Sequence, residues 1–175
     1  MLNYRPMTHE DVKLISHIDR SEYIEKIYRM ENGSVKEIPA GHECGTWDQH
    51  YLEELKTRYL EQLSDGGYAY GAFDGDRLAG FGVLANKFRG KNQDQLQVDL
   101  MYVSRNYRRQ GIGRTLMDEL KREALRRGAA YLYVSSTETQ SAVNFYTHCG
   151  SKVTQEVDPE LFELEPEDIH MLIKL

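Results

Sequence analysis

The sequence predicts an α/β (α+β) fold, in which a mixed β-sheet carries helices on both of its faces. Hydrophobic residues make up 40% of the 175 residues and charged residues 29%, the composition of a globular chain that buries a core. Apolar positions follow helical spacing before residue 64 and change to strand-like patterns at residue 68. A strand, a long helix and a second strand follow one another between Leu96 and Val134, the order of a parallel, right-handed crossover. The length fits a single domain over residues 1–175.

The N-terminal segment begins with a short predicted strand over Asn3–Met7. A helix opens at Thr8, whose hydroxyl can cap the first turn, and Glu10 and Asp11 favour that turn through the helix dipole. Apolar residues then continue at helical spacing, at Val12, Leu14, Ile15 and Ile18. We therefore predict a strand followed by a helix.

The next segment is the least determined part of the chain. Apolar residues within Ser21–Ala40 suit either a helix or a strand, and both interpretations stay open. Glu31–Ser34 has the composition of a turn, from which Val35–Pro39 could return as a partner strand. We expect Gly41–Gly45 to be a loop.

The remaining elements follow from periodicity and from glycine positions. The predicted helices are Trp47–Leu63, Gly111–Arg127 and Thr139–Cys149. The predicted strands are Tyr68–Phe73, Leu78–Ala85, Asp94–Val103, Ala129–Ser135 and Ile169–Leu175. Alternation along the third of these strands sends Leu96, Val98 and Leu100 to one face, and Gln95, Gln97 and Asp99 to the other.

Charge is distributed unevenly along the chain. The formal net charge is −6, yet residues 105–127 hold eight Arg or Lys and only three acids. A positive segment on an acidic protein favours a small polyanionic ligand and argues against nucleic acid as the main partner. We expect Arg108, Arg109 and Arg114 to face that ligand, and a solvated helix face formed by Lys121, Arg122, Arg126 and Arg127.

A glycine-rich segment lies where the third of these strands meets the long helix. The first turn of a helix leaves backbone N–H groups without partners, and Gly111 and Gly113 have no side chains to keep a phosphate away. Leu116 stands where the dinucleotide fingerprint needs glycine, and Arg108 and Arg114 depart from the P-loop pattern, although Thr115 fits it. The pattern Arg-x-x-Gly-x-Gly instead resembles the acetyl-coenzyme A pyrophosphate loop of the GNAT (Gcn5-related N-acetyltransferase) superfamily.

A second motif follows about thirty residues later. Ala142, Phe145, Tyr146 and Gly150 stand at the spacing of the late helix of the same superfamily, and both motifs occur in the expected order. The family often has asparagine where this chain has Thr139, and Asn144 lies close by. The resemblance covers about Tyr68–Gly150 and the last strand. It implies a mixed, mostly antiparallel central sheet of about six to seven strands.

The resemblance also implies acetyl-coenzyme A as co-substrate and an amine as acceptor. Backbone amides of a splayed strand, here Leu100–Val103, would hold the pantetheine arm and the thioester carbonyl. The residues implied in cofactor binding are Met101, Tyr102, Val103, Arg108, Arg109, Gln110, Gly111, Ile112, Gly113, Arg114, Thr115, Thr139 and Asn144.

Direct acetyl transfer needs a proton acceptor for the amine and a donor for the departing thiolate. Tyr146 is the candidate general acid, because a phenol with a pKa of about 10 stays protonated at neutral pH. Asp99 is the candidate base, with a structural partnership to an arginine as the alternative. Glu22, His42 and Glu43 are weaker candidates, and a relay through ordered water remains open.

Several classes are not favoured by the sequence. It has no apolar run long enough for a membrane span and no signal-peptide pattern, and its two cysteines favour a cytoplasmic location. His42, Cys44 and His50 match no zinc spacing, so we expect no metal. A homodimer is compatible with the fold. A coenzyme A-binding sensor or scaffold without turnover, and nucleotide hydrolysis at a degenerate P-loop, remain as alternatives.

Overall fold

The computed structural model describes all 175 residues. The N-terminal half contains β1 (Leu2–Pro6), a 3-10 helix (His9–His17), β2 (Glu22–Glu31), β3 (Ser34–Cys44), α1 (Gln49–Ser64) and β4 (Tyr68–Asp74). The C-terminal half contains β5 (Arg77–Arg89), β6 (Gln95–Val103), a short 3-10 turn (Arg105–Tyr107), α2 (Ile112–Arg126), β7 (Tyr131–Ser136), α3 (Gln140–His148), β8 (Ser151–Val153), α4 (Pro159–Leu164) and β9 (Ile169–Lys174).

Seven strands form the central sheet, in the order β1-β4-β5-β6-β7-β9-β8. The β6–β7 pair is parallel, and every other pair in this sheet is antiparallel. This confirms the predicted mixed, mostly antiparallel sheet. It also confirms the crossover between Leu96 and Val134, in which α2 joins the two parallel strands.

Two apolar clusters lie on opposite faces of the sheet. On one face, residues of α2 and α3, among them Leu120 and Tyr146, pack against β6, β7 and β9. On the other face, α1 and the 3-10 helix, including Tyr59 and Ile15, pack against β4 and β5. The predicted helices on both faces are thus confirmed. No helix is both long and apolar enough to cross a bilayer.

β2 and β3 form a separate two-stranded antiparallel hairpin. Its two-residue turn has φ of 51° at Asn32 and 79° at Gly33, the left-handed pair that matches the twist of a hairpin. The segment Ser21–Ala40, for which helix and strand both remained open, therefore forms strands. The prediction of a loop at Gly41–Gly45 is wrong for its first four residues, because β3 continues to Cys44 and pairs with β2. Backbone contacts join the hairpin to the β7–α3 connection, where Tyr28 N–H donates to Glu138 O at 2.7 Å.

Three other expectations need correction. The helix after Thr8 is a 3-10 helix. The structure also contains α4 and β8, for which the sequence analysis gave no residue bounds. Arg127 does not belong to a solvated face: its side chain is 17% exposed and donates to Glu123, to Gly66 O at 2.7 Å and to Asn86 at 2.8 Å.

Candidate active site

The sheet opens between β6 and β7. Their pairing runs from Gln95–Tyr131 to Val98–Val134 and then stops, although β6 continues to Val103 and β7 to Ser136. Residues 99–103 of β6 and 135–136 of β7 therefore face a gap, here called the opening. Backbone groups that point into the opening and have no partner in the protein are available to a ligand, whereas Asp99 O accepts from Arg58 and Val103 O from Arg108. The predicted splay at Leu100–Val103 thus has a structural counterpart.

A β-bulge at Asp99 lies where the opening begins. Leu84 is paired with Val98 and Val83 with Leu100, so Asp99 is one extra residue on β6. The bulge reverses the alternation beyond it: Val98 packs with α2 and α3, whereas Leu100 packs with α1. The prediction that these two side chains share a face is therefore wrong.

Asp99 is buried in a set of donors. Its side chain is 2% exposed and accepts from Arg58 Nε at 2.9 and 3.0 Å, and also from Arg58 Nη2. Gln62 and Gln97 donate their amides to it at 2.9 and 3.2 Å. A carboxylate that accepts from an arginine and two amides has its oxygens engaged within the protein. This geometry disagrees with the base role predicted for Asp99 and favours the alternative, partnership with an arginine.

The loop before α2 has a run of unpaired backbone donors. The N–H groups of residues 109–114 make no hydrogen bond to a carbonyl of the loop or of the first helical turn. Left-handed φ values of 61° at Arg109 and 82° at Gly111 curl the backbone at this point. Consecutive N–H groups beside a helix N-terminus form a concave site suited to phosphate oxygens. The unpaired N–H groups are therefore suited to an anionic group such as a phosphate.

Arg108 turns inward from this loop. Its guanidinium donates to Val103 O at 2.9 Å, Ser21 O at 3.0 Å and Asp19 O at 3.5 Å, and burial lowers its pKa. These contacts join β6 to the segment that leads into the β2–β3 hairpin. The prediction that the Arg108 side chain faces the ligand therefore needs correction, since its donors are used within the protein.

The two glycines of the motif have different roles. Gly111 is exposed, needs its left-handed φ, and has no atom within 4 Å of the position a Cβ would take. A Cβ on Gly113 would lie 2.9 Å from a ring carbon of Phe145 on α3. Gly113 thus allows α2 and α3 to pack closely, which differs from the predicted role of clearing space for a phosphate.

The other predicted cofactor residues divide by exposure. Arg109, Gln110, Arg114 and Thr115 are exposed around the unpaired N–H groups, whereas the side chain of Ile112 is buried in the core. Thr139 caps α3 by accepting from Ala142 N–H at 3.4 Å. Asn144 is exposed on α3, and its Oδ1 accepts from the Tyr28 hydroxyl at 3.4 Å.

Three residues predicted to contact the cofactor, Met101, Tyr102 and Val103, are the last residues of β6 before the loop that leads to α2. Met101 packs against the α2 face, and Tyr102 packs edge-on against Trp47 with ring centroids 4.8 Å apart. Burial raises the pKa of the Tyr102 phenol. Val103 contributes the carbonyl that Arg108 holds.

Tyr146 lies in the core of the α2–α3 face beside the opening. The residue is 9% exposed, and its ring is 5.1 Å from that of Phe145 in an edge-on arrangement. Burial raises the pKa of its phenol, and the nearby Tyr102, Cys149 and Asp168 raise it further. The phenol therefore stays protonated at neutral pH and can donate a hydrogen bond or a proton.

Comparisons with known proteins identify the family and the fold of the chain. Residues 25–151 match the acetyltransferase (GNAT) family. The chain belongs to that family. No curated protein sequence matches it. Among solved structures, nourseothricin acetyltransferase has the same fold, with a TM-score of 0.73 and 22% identity over 99% of this chain and 98% of that one.

Two further GNAT structures were solved with a ligand. A PaiA N-acetyltransferase from Thermoplasma acidophilum, in complex with coenzyme A, has a TM-score of 0.66 and 17% identity over 100% of this chain and 99% of that one. A protein assigned as a streptothricin acetyltransferase from Bacillus anthracis, in complex with acetyl coenzyme A, has a TM-score of 0.70 and 18% identity over 100% and 99%. At these identities the likeness establishes the GNAT fold of the present chain.

Sequence analysis missed two polar pairs beside the opening of this GNAT domain. Arg58 and Gln62 on α1 hold Asp99 from 41 and 37 residues away. Ser135 on β7 donates to Asp168 at 2.9 Å across 33 residues. The i, i+4 spacing of Arg58 and Gln62 was a signal for a shared helix face, but no local pattern gave their partner.

Proposed function

We propose that the protein transfers an acetyl group from acetyl-coenzyme A to a primary amine of a small molecule or peptide, by direct attack on the thioester. The observation that carries this proposal is the conjunction of the opening between β6 and β7 with the unpaired N–H groups of residues 109–114. Family membership supports acetyl transfer as the reaction class. The PaiA structure, named an N-acetyltransferase, supports nitrogen as the acceptor atom.

The unpaired N–H groups would hold the pyrophosphate. Exposed Arg109 and Arg114 add positive charge around them. The backbone of Met101–Val103 would align the pantetheine arm along the free side of β6. The acetyl group would then lie in the opening, close to the phenol of Tyr146.

Tyr146 is proposed as the general acid. Its protonated phenol is able to donate a proton to the sulfur as the carbon–sulfur bond breaks. Burial keeps the proton on the phenol in the resting protein, so the donor is ready at every turnover.

The test pairs binding with turnover. Calorimetry with coenzyme A and with ATP identifies the ligand of the loop, and release of free thiol from acetyl-coenzyme A across a panel of amines measures transfer. We expect coenzyme A to bind, ATP to bind far more weakly, and at least one amine to be acetylated. Binding without turnover on any amine would favour the sensor or scaffold alternative, and tight ATP binding would favour nucleotide hydrolysis.

Tyr146→Phe tests the acid. Removal of a general acid lowers kcat by about 100-fold or more, while the affinity for coenzyme A stays unchanged. Tyr131→Phe, at the opposite end of β7, is the matched control and should keep full activity. An unchanged kcat in Tyr146→Phe would remove this residue from the mechanism.

A further inference from the structure

A second carboxylate lies at the opening, on the side away from Tyr146. Asp168 precedes β9, and its carboxylate accepts from the Ser135 hydroxyl at 2.9 Å. Ser135 is the first residue of β7 beyond the last pair with β6. Val134 packs in the same cluster as Tyr146, and side chains alternate along a strand, so Ser135 points to the opposite face. Asp168 and Tyr146 thus approach the opening from different faces of the sheet.

The segment that carries Asp168 is fixed by a chain of hydrogen bonds. The His170 ring donates through Nε2 to Glu165 O at 3.1 Å, and its Nδ1 lies 2.6 Å from the Tyr133 hydroxyl. Asp158 N–H donates to the same hydroxyl at 2.9 Å, and Asp168 N–H donates to Glu165 O at 3.2 Å. The segment that carries the carboxylate is therefore tied by hydrogen bonds to β7 and to residues 158–165, the kind of support that positions a catalytic group.

Charged groups of several elements face Asp168. Burial raises the pKa of its carboxyl to about 7, and the acids Glu165 and Glu138 act in the same direction. The hydrogen bond from Ser135 and the charge of Arg58 on α1 act in the opposite direction. A carboxyl whose pKa is raised toward neutral pH can take up a proton and release it again near pH 7, as a general base must.

Two further side chains, Tyr146 and Arg29, bear on the charge around Asp168. Asp168 raises the pKa of the Tyr146 phenol on α3, so the two groups affect each other across the opening. Arg29 on β2 lies 3.5 Å from Glu138 and 3.6 Å from Glu167 and is thereby engaged with those two acids.

We propose that Asp168 is the general base that removes a proton from the acceptor ammonium at the opening. This inference rests on the proposed function, and it adds that the acceptor enters from the face of α1 and binds as a cation. Asp99 on that face accepts from Arg58, Gln62 and Gln97, whereas the carboxylate of Asp168 accepts from the single hydroxyl of Ser135.

One proton leaves the ammonium before the attack, and one reaches the sulfur when the thioester breaks. Asp168 takes one proton from the ammonium, directly or through one water, and the neutral amine forms a carbon–nitrogen bond with the thioester carbonyl carbon. When the carbon–sulfur bond breaks, Tyr146 gives its proton to the sulfur, and the surplus proton on nitrogen returns to the Tyr146 oxygen. Asp168 then releases its proton to solvent. The products are an amide, free coenzyme A and one proton.

The decisive measurement is the pH dependence of kcat/KM with an amine that the wild type acetylates. We expect an acidic limb near pH 7 in the wild type. In Asp168→Asn the acidic limb should instead follow the pKa of the amine itself, which is about 10 for an alkylamine. The value of kcat/KM at pH 7 should fall by about 100-fold. The affinity for coenzyme A should not change.

Two variants tune the base without removing it. Ser135→Ala removes a hydrogen bond that lowers the pKa of Asp168, so its limb should shift to higher pH. Glu165→Gln removes a neighbouring negative charge, so its limb should shift to lower pH. Glu163→Gln, an exposed acid of α4, is the matched control and should leave the profile unchanged. A merely structural carboxylate would not produce these opposite shifts.

Another readout needs no co-substrate. The folded-state pKa of Asp168 lies above its unfolded value, so its ionisation destabilises the fold as pH rises through 7. Asp168→Asn should therefore melt at a higher temperature than the wild type at pH 8, and the difference should shrink at pH 5.

The outcomes separate the two proposals. If the wild type acetylates no amine in the panel, the proposed function fails, whatever the melting experiment gives. If the wild type is active and Asp168→Asn keeps its limb near pH 7, this inference is overturned while the proposed function stands. If Asp168→Asn does not fold, the opposite shifts of Ser135→Ala and Glu165→Gln decide, and their absence overturns the inference.

Discussion

Replacing Arg58 tests whether Asp99 is a structural residue or a base. Arg58→Met removes a bidentate partner, with contacts of 2.9 and 3.0 Å to its Nε, from a carboxylate whose side chain is 2% exposed. Only the amides of Gln62 and Gln97 would then remain as donors. The buried carboxylate would have to be rehydrated, protonated or displaced, each at a cost in folding free energy.

The magnitude follows from the burial of the two partners. Breaking a fully buried ion pair costs about 3–5 kcal/mol, but the Arg58 side chain is 43% exposed, so water can replace part of the lost interaction. We expect Arg58→Met to lower the free energy of unfolding by about 2–3 kcal/mol, and Asp99→Asn to lower it by about 1–2 kcal/mol. The double variant should be more stable than the two losses together imply, with a coupling of about 1–2 kcal/mol.

Urea denaturation of the wild type, both single variants and the double variant measures that coupling. Arg122→Met is the matched control, because its ion pair with Glu119 lies on the surface, where water and salt screen the interaction. If Asp99 were the base, Asp99→Asn would lower kcat by about 100-fold or more with little loss of stability. Additive losses in the cycle, together with such a collapse of kcat, would refute the structural interpretation.

Further predictions concern the glycine loop. Gly113→Ala places a Cβ 2.9 Å from Phe145, so it should cost about 1–3 kcal/mol through overpacking and lower kcat more than coenzyme A affinity, since α3 carries Tyr146. Gly111→Ala has open space but a φ of 82°, and it should cost about 1–2 kcal/mol in backbone strain. Arg108→Met should lower the melting temperature of the free protein and leave the salt dependence of coenzyme A binding unchanged. Unchanged stability with a weaker salt dependence would show that its guanidinium binds phosphate.

Sequence reasoning succeeds where the signal is local. The loop before α2 and the helix of Tyr146 are marked by glycines and apolar residues at fixed short spacings, and each spacing has a direct backbone or packing cause. The parallel crossover follows from the order of its elements, since handedness and packing leave few alternatives.

Sequence reasoning fails where a side chain contacts residues that are far away in the chain and are brought close by the tertiary structure. Alternation along β6 predicted that Leu100 shares a face with Val98, but the bulge at Asp99 places them on opposite faces. The bulge is defined by how β6 pairs with β5, which the sequence of β6 alone does not show. Gly113 looked like a phosphate contact because the motif lies in one segment, whereas Phe145 on another helix explains it. Asp168 carried no signal, because its pKa depends on burial that only the tertiary structure supplies.

The bulge at Asp99 connects these findings. The pairing of β6 with β7 ends at Val98, immediately before the extra residue Asp99, whose polar side chain lies on a face that is otherwise packed. A buried carboxylate in that position needs a counter-charge, and Arg58 with two amides supplies it. These contacts engage the Asp99 oxygens within the protein, which favours a structural role for this residue. The bulge thus lies both where the opening begins and where the buried Asp99–Arg58 pair forms. Under the proposal above, the base is instead Asp168, which precedes β9.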